Sequence, residues 1–232
     1  MVTLRKVGRL ALDLLYPPRC AICGRNGALL CSACAEALPR ADGARCDACW
    51  LPLPRNEPCR ACAEHPLALS HLRSVFRYEG EVRRLVHAFK FGGQSSLSQP
   101  LGGLLIEAYL SHGLEFDMIV PVPLTGARRR TRGYNQASLL ARELGRAVDV
   151  PVVDALSRRR FAGAQVSSAT AEERRRNVGG AFAVARAEAV SGRHVLLIDD
   201  VATTGATLDA CARELLSAGA ASVSGLTVAR ED

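Results

Sequence analysis

Eight of the nine cysteines of this chain fall before residue 63, as four Cys-x-x-Cys pairs: Cys20/Cys23, Cys31/Cys34, Cys46/Cys49 and Cys59/Cys62. Two residues between cysteines let both thiolates of a tight turn face one ion, and four such turns supply two tetrahedral sets of sulfur ligands. Gly24, directly after Cys23, helps the backbone curl around the metal. A disulfide scaffold would need an oxidising compartment, for which no secretory signal speaks. A thioredoxin-type redox motif accounts for one pair and not four. The spacing therefore predicts two structural zinc ions. Sequence neighbours make the simpler sets, with Cys20, Cys23, Cys31 and Cys34 on one ion and Cys46, Cys49, Cys59 and Cys62 on the other. An interleaved cross-brace satisfies the same spacing and stays open. Four thiolates leave no position for water, so these metals should hold the segment's shape rather than catalyse. Cys211 lies in a predicted helix and reads as a buried core residue.

The 232 residues, 48 % hydrophobic and 23 % charged, suffice for one α/β domain beside a small cysteine-rich module. No apolar run approaches the roughly 20 residues that span a bilayer. The opening "TLRKVGRLALDLLYPP" sets basic residues before an apolar stretch, but Asp13 interrupts it and no small-residue cleavage site follows. It is read as an amphipathic helix ended by Pro17-Pro18, and the protein as cytoplasmic. Three segments result: an N-terminal helix over 1–18, a zinc module over 19–65 and an α/β domain over 66–232. The formal charge of +7 is concentrated in arginines at 128–132, 158–160 and 174–176. Clustered guanidinium groups match phosphate oxygens. For "EERRRN" a solvated helix face serves equally well, whereas "RRRTRGYN" directly follows a strand and points to phosphate.

From about residue 70 strands and helices alternate. "SVFRY" predicts a strand, "EVRRLVHAFKF" a helix closed by Gly92-Gly93, and "LGGLLIEAYLSHG" a second helix. "FDMIVPVP" follows as a buried strand and "NQASLLARELGRAV" as a helix. "VPVVDAL", "AFAV", "HVLLIDD" and "SVSGLTVAR" read as further strands, with the helix "TLDACARELLSAGA" before the last. This alternation implies a doubly wound, mostly parallel sheet whose ligands sit beyond the carboxyl ends of its strands.

"VLLIDDVATTGATL", Val195 to Leu208, places two acids at such a strand end. Neighbours on an extended backbone point to opposite faces, so Asp199 and Asp200 cannot duplicate each other. One suits a ligand hydroxyl, while the other supports the loop or a hydrated Mg²⁺. The backbone N–H groups after them, with the hydroxyls of Thr203, Thr204 and Thr207, can form a phosphate cup that Gly205 lets a ligand approach. Ordinary capping would explain the threonines alone. Carboxylates for hydroxyls beside donors for phosphate describe a ribose 5-phosphate site.

The same stretch resembles the phosphoribosyl pyrophosphate (PRPP) motif of type I phosphoribosyltransferases. "FKFGG" (89–93), "DMIVPVPLTGARRRTRGYNQASLLA" (117–141), "ERRRNVGGAF" (173–182) and the cysteine-rich start narrow the match. Together they resemble the ComF family, competence-protein-F-like proteins with a double zinc ribbon before a phosphoribosyltransferase domain, from about Cys20 to the last residue. The resemblance implies that Asp199 and Asp200 meet the ribose hydroxyls, directly or through Mg²⁺-bound water. It assigns the 5-phosphate to Val201, Ala202, Thr203, Thr204, Gly205, Ala206 and Thr207. Arg128, Arg132, Gly133 and Asn135 would meet the pyrophosphate, and Arg160 and Gln165 would belong to a lid. Relatives commonly carry Thr-x-x-Gln in that lid, where this chain has "AGAQ" with Ala162 first, so one hydroxyl contact of the closed state is missing and the resemblance implies binding more directly than turnover. The implied activity is transfer of the phosphoribosyl group to a nitrogen acceptor. Two rivals stand beside it: a ligand-binding regulator without transfer, and a single-stranded-DNA-binding component of DNA uptake, with or without a protein partner. The 5 % aromatic content leaves the DNA reading resting on charge.

Overall fold

Residues 17–54, 57–159 and 180–232 are described in the structure, a computed structural model. The expected N-terminal helix (but for Pro17 and Pro18), Arg160, Ala162 and Gln165 of the lid, and the arginines of 174–176 lie outside the described residues. In chain order, α1 (Ser32–Glu36) and α2 (Arg60–Glu64) belong to the cysteine-rich part. They are followed by β1 (Leu72–Arg77), α3 (Gly80–Phe91), α4 (Ser98–His112), β2 (Met118–Pro121), α5 (Gly126–Arg132) and α6 (Gln136–Val148). The remainder is β3 (Leu156–Arg158), β4 (Phe182–Val184), α7 (Ala187–Val190), β5 (His194–Ala202), α8 (Ala206–Ser217) and β6 (Ser222–Arg230).

The main sheet is parallel throughout, in the order β1-β6-β5-β2. Its middle strand β5 is apolar on both sides because helices cover both faces. Leu196 and Ile198 pack with Phe89, Leu105, Leu140 and Leu144 of α3, α4 and α6. Val195 and Leu197 turn the other way, against Leu208, Cys211 and Leu215 of α8. Cys211 is fully buried there, as its sequence context implied.

Two expected strands come out differently. "VPVVDAL" contributes a single parallel bridge, Val152 beside Ile119. Pro151 accepts a bond from the Ile119 N–H but has none of its own to extend the ladder. "AFAV" does not join the parallel sheet. As β4 it pairs antiparallel with β3, Arg158 opposite Phe182 and Leu156 opposite Val184.

The cysteine-rich part repeats one plan twice. Cys20 and Cys46 open tight turns in which the Gly24 N–H donates to the Cys20 carbonyl and the Trp50 N–H to the Cys46 carbonyl, both at 2.8 Å. Both turns need a left-handed residue at that place. Gly24 supplies it freely (φ 73°), whereas Trp50 is held there (φ 62°) by its surroundings. Its indole N–H donates to the Ser74 carbonyl, and the Arg73 guanidinium lies 4.5 Å from its ring centroid. Cys31 and Cys59 then start the short helices α1 and α2. This part covers the β1 edge of the sheet. Arg40 bridges Phe76, the Ala41 N–H donates to the Val75 carbonyl and the Leu72 N–H to that of Ala48.

Candidate functional site at the carboxyl edge of the sheet

The cysteines assemble as two separate tetrads, Cys20-Cys23-Cys31-Cys34 and Cys46-Cys49-Cys59-Cys62, so sequence neighbours group together and are not interleaved. Tetrahedral coordination at about 2.3 Å from zinc to sulfur puts sulfurs about 3.8 Å apart. The Sγ–Sγ distances of 3.8 Å for Cys23–Cys31, 3.7 Å for Cys46–Cys62 and 3.6 Å for Cys49–Cys59 match that spacing and are far too long for disulfides. At Cys20 burial pushes the thiol up, but the backbone N–H groups of Cys23, Cys31 and Ile22 outweigh it and hold the thiol at about 6. In the same tetrad the Cys31 side chain, with burial, pushes the Cys34 thiol the other way, up to about 12, so it is the spacing of the sulfurs that marks the set as metal ligands. Both tetrads fit structural zinc.

Near the carboxyl end of β5 stand the two aspartates. Alternation along β5 puts Asp200 on the face of Leu196 and Ile198, and Asp199 on that of Val195 and Leu197. Asp200, only 6 % exposed, accepts from the Lys90 ammonium of α3 at 2.7 Å. Asp199 Oδ1 accepts the Asp200 N–H at 2.8 Å. Burial, followed by the negative charge of Asp200, pushes the Asp199 carboxyl up to about 7 despite the opposing charges of Lys90 and Arg158.

Beyond the acids the chain turns through Thr203 and Thr204 to Gly205, whose φ of 78° only glycine adopts readily. Gly205 is the N-cap of α8 and has no side chain to satisfy the first-turn N–H groups. Thr204 Oγ1 accepts from the Ala206 N–H at 3.3 Å, so part of the threonine pattern is local capping. Thr203 is exposed, while Thr207 is half-buried in the first turn of α8.

Opposite the loop, "RRRTR" is the helix α5, begun by the Thr125 hydroxyl accepting the Arg128 N–H. Gly133 ends it in the left-handed conformation. The charge of Arg128 acts on Arg132 and Arg158, and these two also feel the aspartates. Burial weakens the proton affinity of Arg132 while Asp200 restores part of it, and Arg158 feels burial, then the like charge of Arg128, with Asp199 opposing. Like charges gathered around two acids form an arrangement suited to a ligand with several negative charges.

Asn135 plays another part. Its side chain donates to the Val122 carbonyl at 3.0 Å and accepts from the Ala137 N–H at 3.1 Å, so it braces the loop and caps α6. Sequence reasoning missed Lys90 as a site residue, although "FKFGG" drew notice, because its partner lies 110 positions away in the chain. It also missed Gln136, buried, which accepts from Arg132 at 3.2 Å and donates to the Lys90 carbonyl at 3.3 Å, tying both cations together.

Residues 11–63 match the family described as a double zinc ribbon domain, and residues 97–231 the phosphoribosyl transferase domain. The DNA utilization protein YhgH of Escherichia coli K12 is 34 % identical over 220 residues, covering 90 % of this chain and 96 % of that protein. Competence protein ComFC of Bacillus subtilis is 30 % identical over 209 residues, covering 87 % and 84 %. Competence protein F of Haemophilus influenzae is 32 % identical over 167 residues, covering 69 % and 73 %. With both domains matched in order and these relatives alike over most of their length, the chain belongs to the ComF family, in which a double zinc ribbon precedes a phosphoribosyltransferase domain.

Proposed function

We propose that the chain binds PRPP with Mg²⁺ at the carboxyl edge of β5 and transfers the phosphoribosyl group to a nitrogen acceptor. The observation that carries this reading is the Lys90–Asp200 ion pair at 2.7 Å, with Asp199 next to it and the loop from Val201 to Thr207 following, while Arg132 and Arg158 lie within electrostatic reach of the aspartates. Asp199 and Asp200 would hold the ribose hydroxyls, the N-terminus of α8 the 5-phosphate, and the arginines the pyrophosphate. Two hard carboxylates fit a magnesium ion, which would favour the ionised form of Asp199 and offset the charge of the pyrophosphate.

In the reaction the bond from ribose C1 to the pyrophosphate oxygen breaks with its electrons leaving on pyrophosphate, and the acceptor nitrogen bonds to C1. Positive charge develops on the ribose ring on the way. The carboxylates stabilise it by position, and Arg128, Arg132 and Arg158 stabilise the departing group. The relatives' names, DNA utilization protein and competence protein, support placing this chemistry in DNA utilization or competence, and we add to it a cytoplasmic location with single-stranded DNA or a protein of DNA uptake as partner. No helix among the described residues is long and apolar enough to cross a membrane.

Thermal unfolding with PRPP, with and without Mg²⁺, tests the site in wild type and Asp200→Ala. Stabilisation of wild type that needs Mg²⁺ and vanishes in the variant is expected, and equal responses in both proteins would remove the proposed site. Pyrophosphate release across a panel of bases then distinguishes an enzyme from a PRPP-responsive regulator, the second reading that Ala162 in the lid stretch favours.

A further inference from the structure

The last turn of α3 sends three consecutive side chains three ways. Phe89 is fully buried in the core, Lys90 pairs with Asp200 at 2.7 Å, and Phe91 stands 58 % exposed. Exposure of one apolar ring means little by itself. What the ring touches is more specific. The Arg132 guanidinium lies over it, its Cζ 4.6 Å from the ring centroid, and the His87 ring flanks it at 4.8 Å. Arg132 is held by a second group as well, since its Nη1 donates to Gln136 Oε1 at 3.2 Å. Gln136 is 1 % exposed, and its Nε2 donates to the Phe89 and Lys90 carbonyls at 3.4 and 3.3 Å. These carbonyls belong to the last turn of α3, where no later N–H of the helix reaches them. The Tyr134 hydroxyl donates to the Phe89 carbonyl at 2.5 Å. Turning the Gln136 amide over would set its NH₂ against the guanidinium and its oxygen against two carbonyls, so its orientation is fixed. The ends of α3 and α5 are thereby locked together, with Arg132 over the Phe91 ring.

An arginine that grips a diphosphate gives up the freedom of a long side chain, and that loss weakens binding. A guanidinium already held by a ring and an amide has lost the freedom beforehand. Among the described residues Arg132 alone of the α5 arginines has these two contacts, while Arg128, Arg129 and Arg130 are exposed. Nη1 is engaged by Gln136, and among the described residues Nε and Nη2 of Arg132 have no hydrogen-bond partner. We propose that Phe91 is a positioning residue: its ring, together with Gln136, holds the Arg132 guanidinium ready for the pyrophosphate and so sets the preference of the site for PRPP over ribose 5-phosphate. This rests on the PRPP reading of the site, and Phe91 itself touches no ligand. Its place beside Lys90 is part of the device, because one helix end then fixes both the cation that holds Asp200 and the ring that holds Arg132.

Calorimetric titration of the full, zinc-loaded chain with PRPP and with ribose 5-phosphate, each with Mg²⁺, tests this in wild type, Phe91→Leu and Phe91→Tyr. Phe91→Leu is expected to weaken PRPP binding about 2- to 5-fold, the range of a cation stacked on an exposed ring. Ribose 5-phosphate, which lacks the pyrophosphate, should keep its wild-type affinity. Phe91→Tyr retains the ring and should bind both ligands as wild type does. In an Arg132→Met background, adding Phe91→Leu should cost nothing further, because the ring acts through that guanidinium. The exposed position lets both Phe91 variants fold, which ligand-free melting checks. Equal weakening of both ligands, unchanged PRPP affinity in Phe91→Leu, or an additive loss in the double variant would overturn the proposal and leave the PRPP site standing. A wild type that binds no PRPP would remove the site itself, and the role of Phe91 with it.

Discussion

At Asp200 the carboxylate faces the Lys90 ammonium at 2.7 Å with both side chains largely covered, whereas at Asp199 burial and a like charge leave the acid half-neutral near pH 7. The consequences differ accordingly. Lys90→Met strands a buried carboxylate and is expected to cost about 1–3 kcal/mol in urea unfolding. It should also weaken PRPP–Mg²⁺ binding, because Lys90 holds Asp200 in place. Asp199 has a folded pKa of about 7, above its unfolded value of 3.8. The folded state therefore binds the extra proton in that window, and stability falls as pH rises through it. Unfolding free energies at pH 5.5 and 7.5 should show a decline in wild type that Asp199→Asn reduces. PRPP–Mg²⁺ binding should run the opposite way, strengthening toward pH 7.5 as the carboxylate forms.

Among the elements, β5 and α8 fix the site and α4 and α6 hold the sheet beneath it. The turn between β5 and α8 depends on Gly205. A methyl group there would meet Leu67 at 3.5 Å and Leu72 at 3.9 Å, ordinary contacts, so the cost of Gly205→Ala is conformational. About 1–2 kcal/mol is expected from the left-handed backbone, read in a denaturant melt, together with weaker phosphate binding. Gly102 on α4 is a different case, since a Cβ there would fall 2.4 Å from the Glu143 Cβ on α6. Gly102→Val should therefore push the helices apart and lower stability more than Gly205→Ala does. The helices and long strands were legible from periodicity because each alternates or winds on its own local pattern. β4 was legible as a strand in "AFAV", but its partner and direction were not, and β3 was missed: three residues each, the two pair with one another across a long stretch of sequence.

For the molecule as a whole, the cysteine-rich part is stitched to β1 through Pro39, Arg40, Ala41 and Ala48. Metal should therefore matter beyond its own ligands. Zinc analysis is expected to find about two ions per chain. Their removal by chelator should raise hydrogen exchange at Leu72–Arg77 as well as around the tetrads, because β1 loses the backbone partners that cover its edge.

The sequence alone determined the two sets of thiolates, the alternating architecture and the acidic pair before a hydroxyl-rich turn. Each of these is a short-range pattern whose chemistry is complete within a few residues. Tertiary structure decided how the cysteines group, that Lys90 and Gln136 serve the site, that Asn135 is a brace, and that Arg230 shares a cavity with Cys49, Cys62, Thr203 and Thr204. Those facts depend on which distant side chains a parallel sheet brings to its carboxyl edge, and no local spacing encodes that.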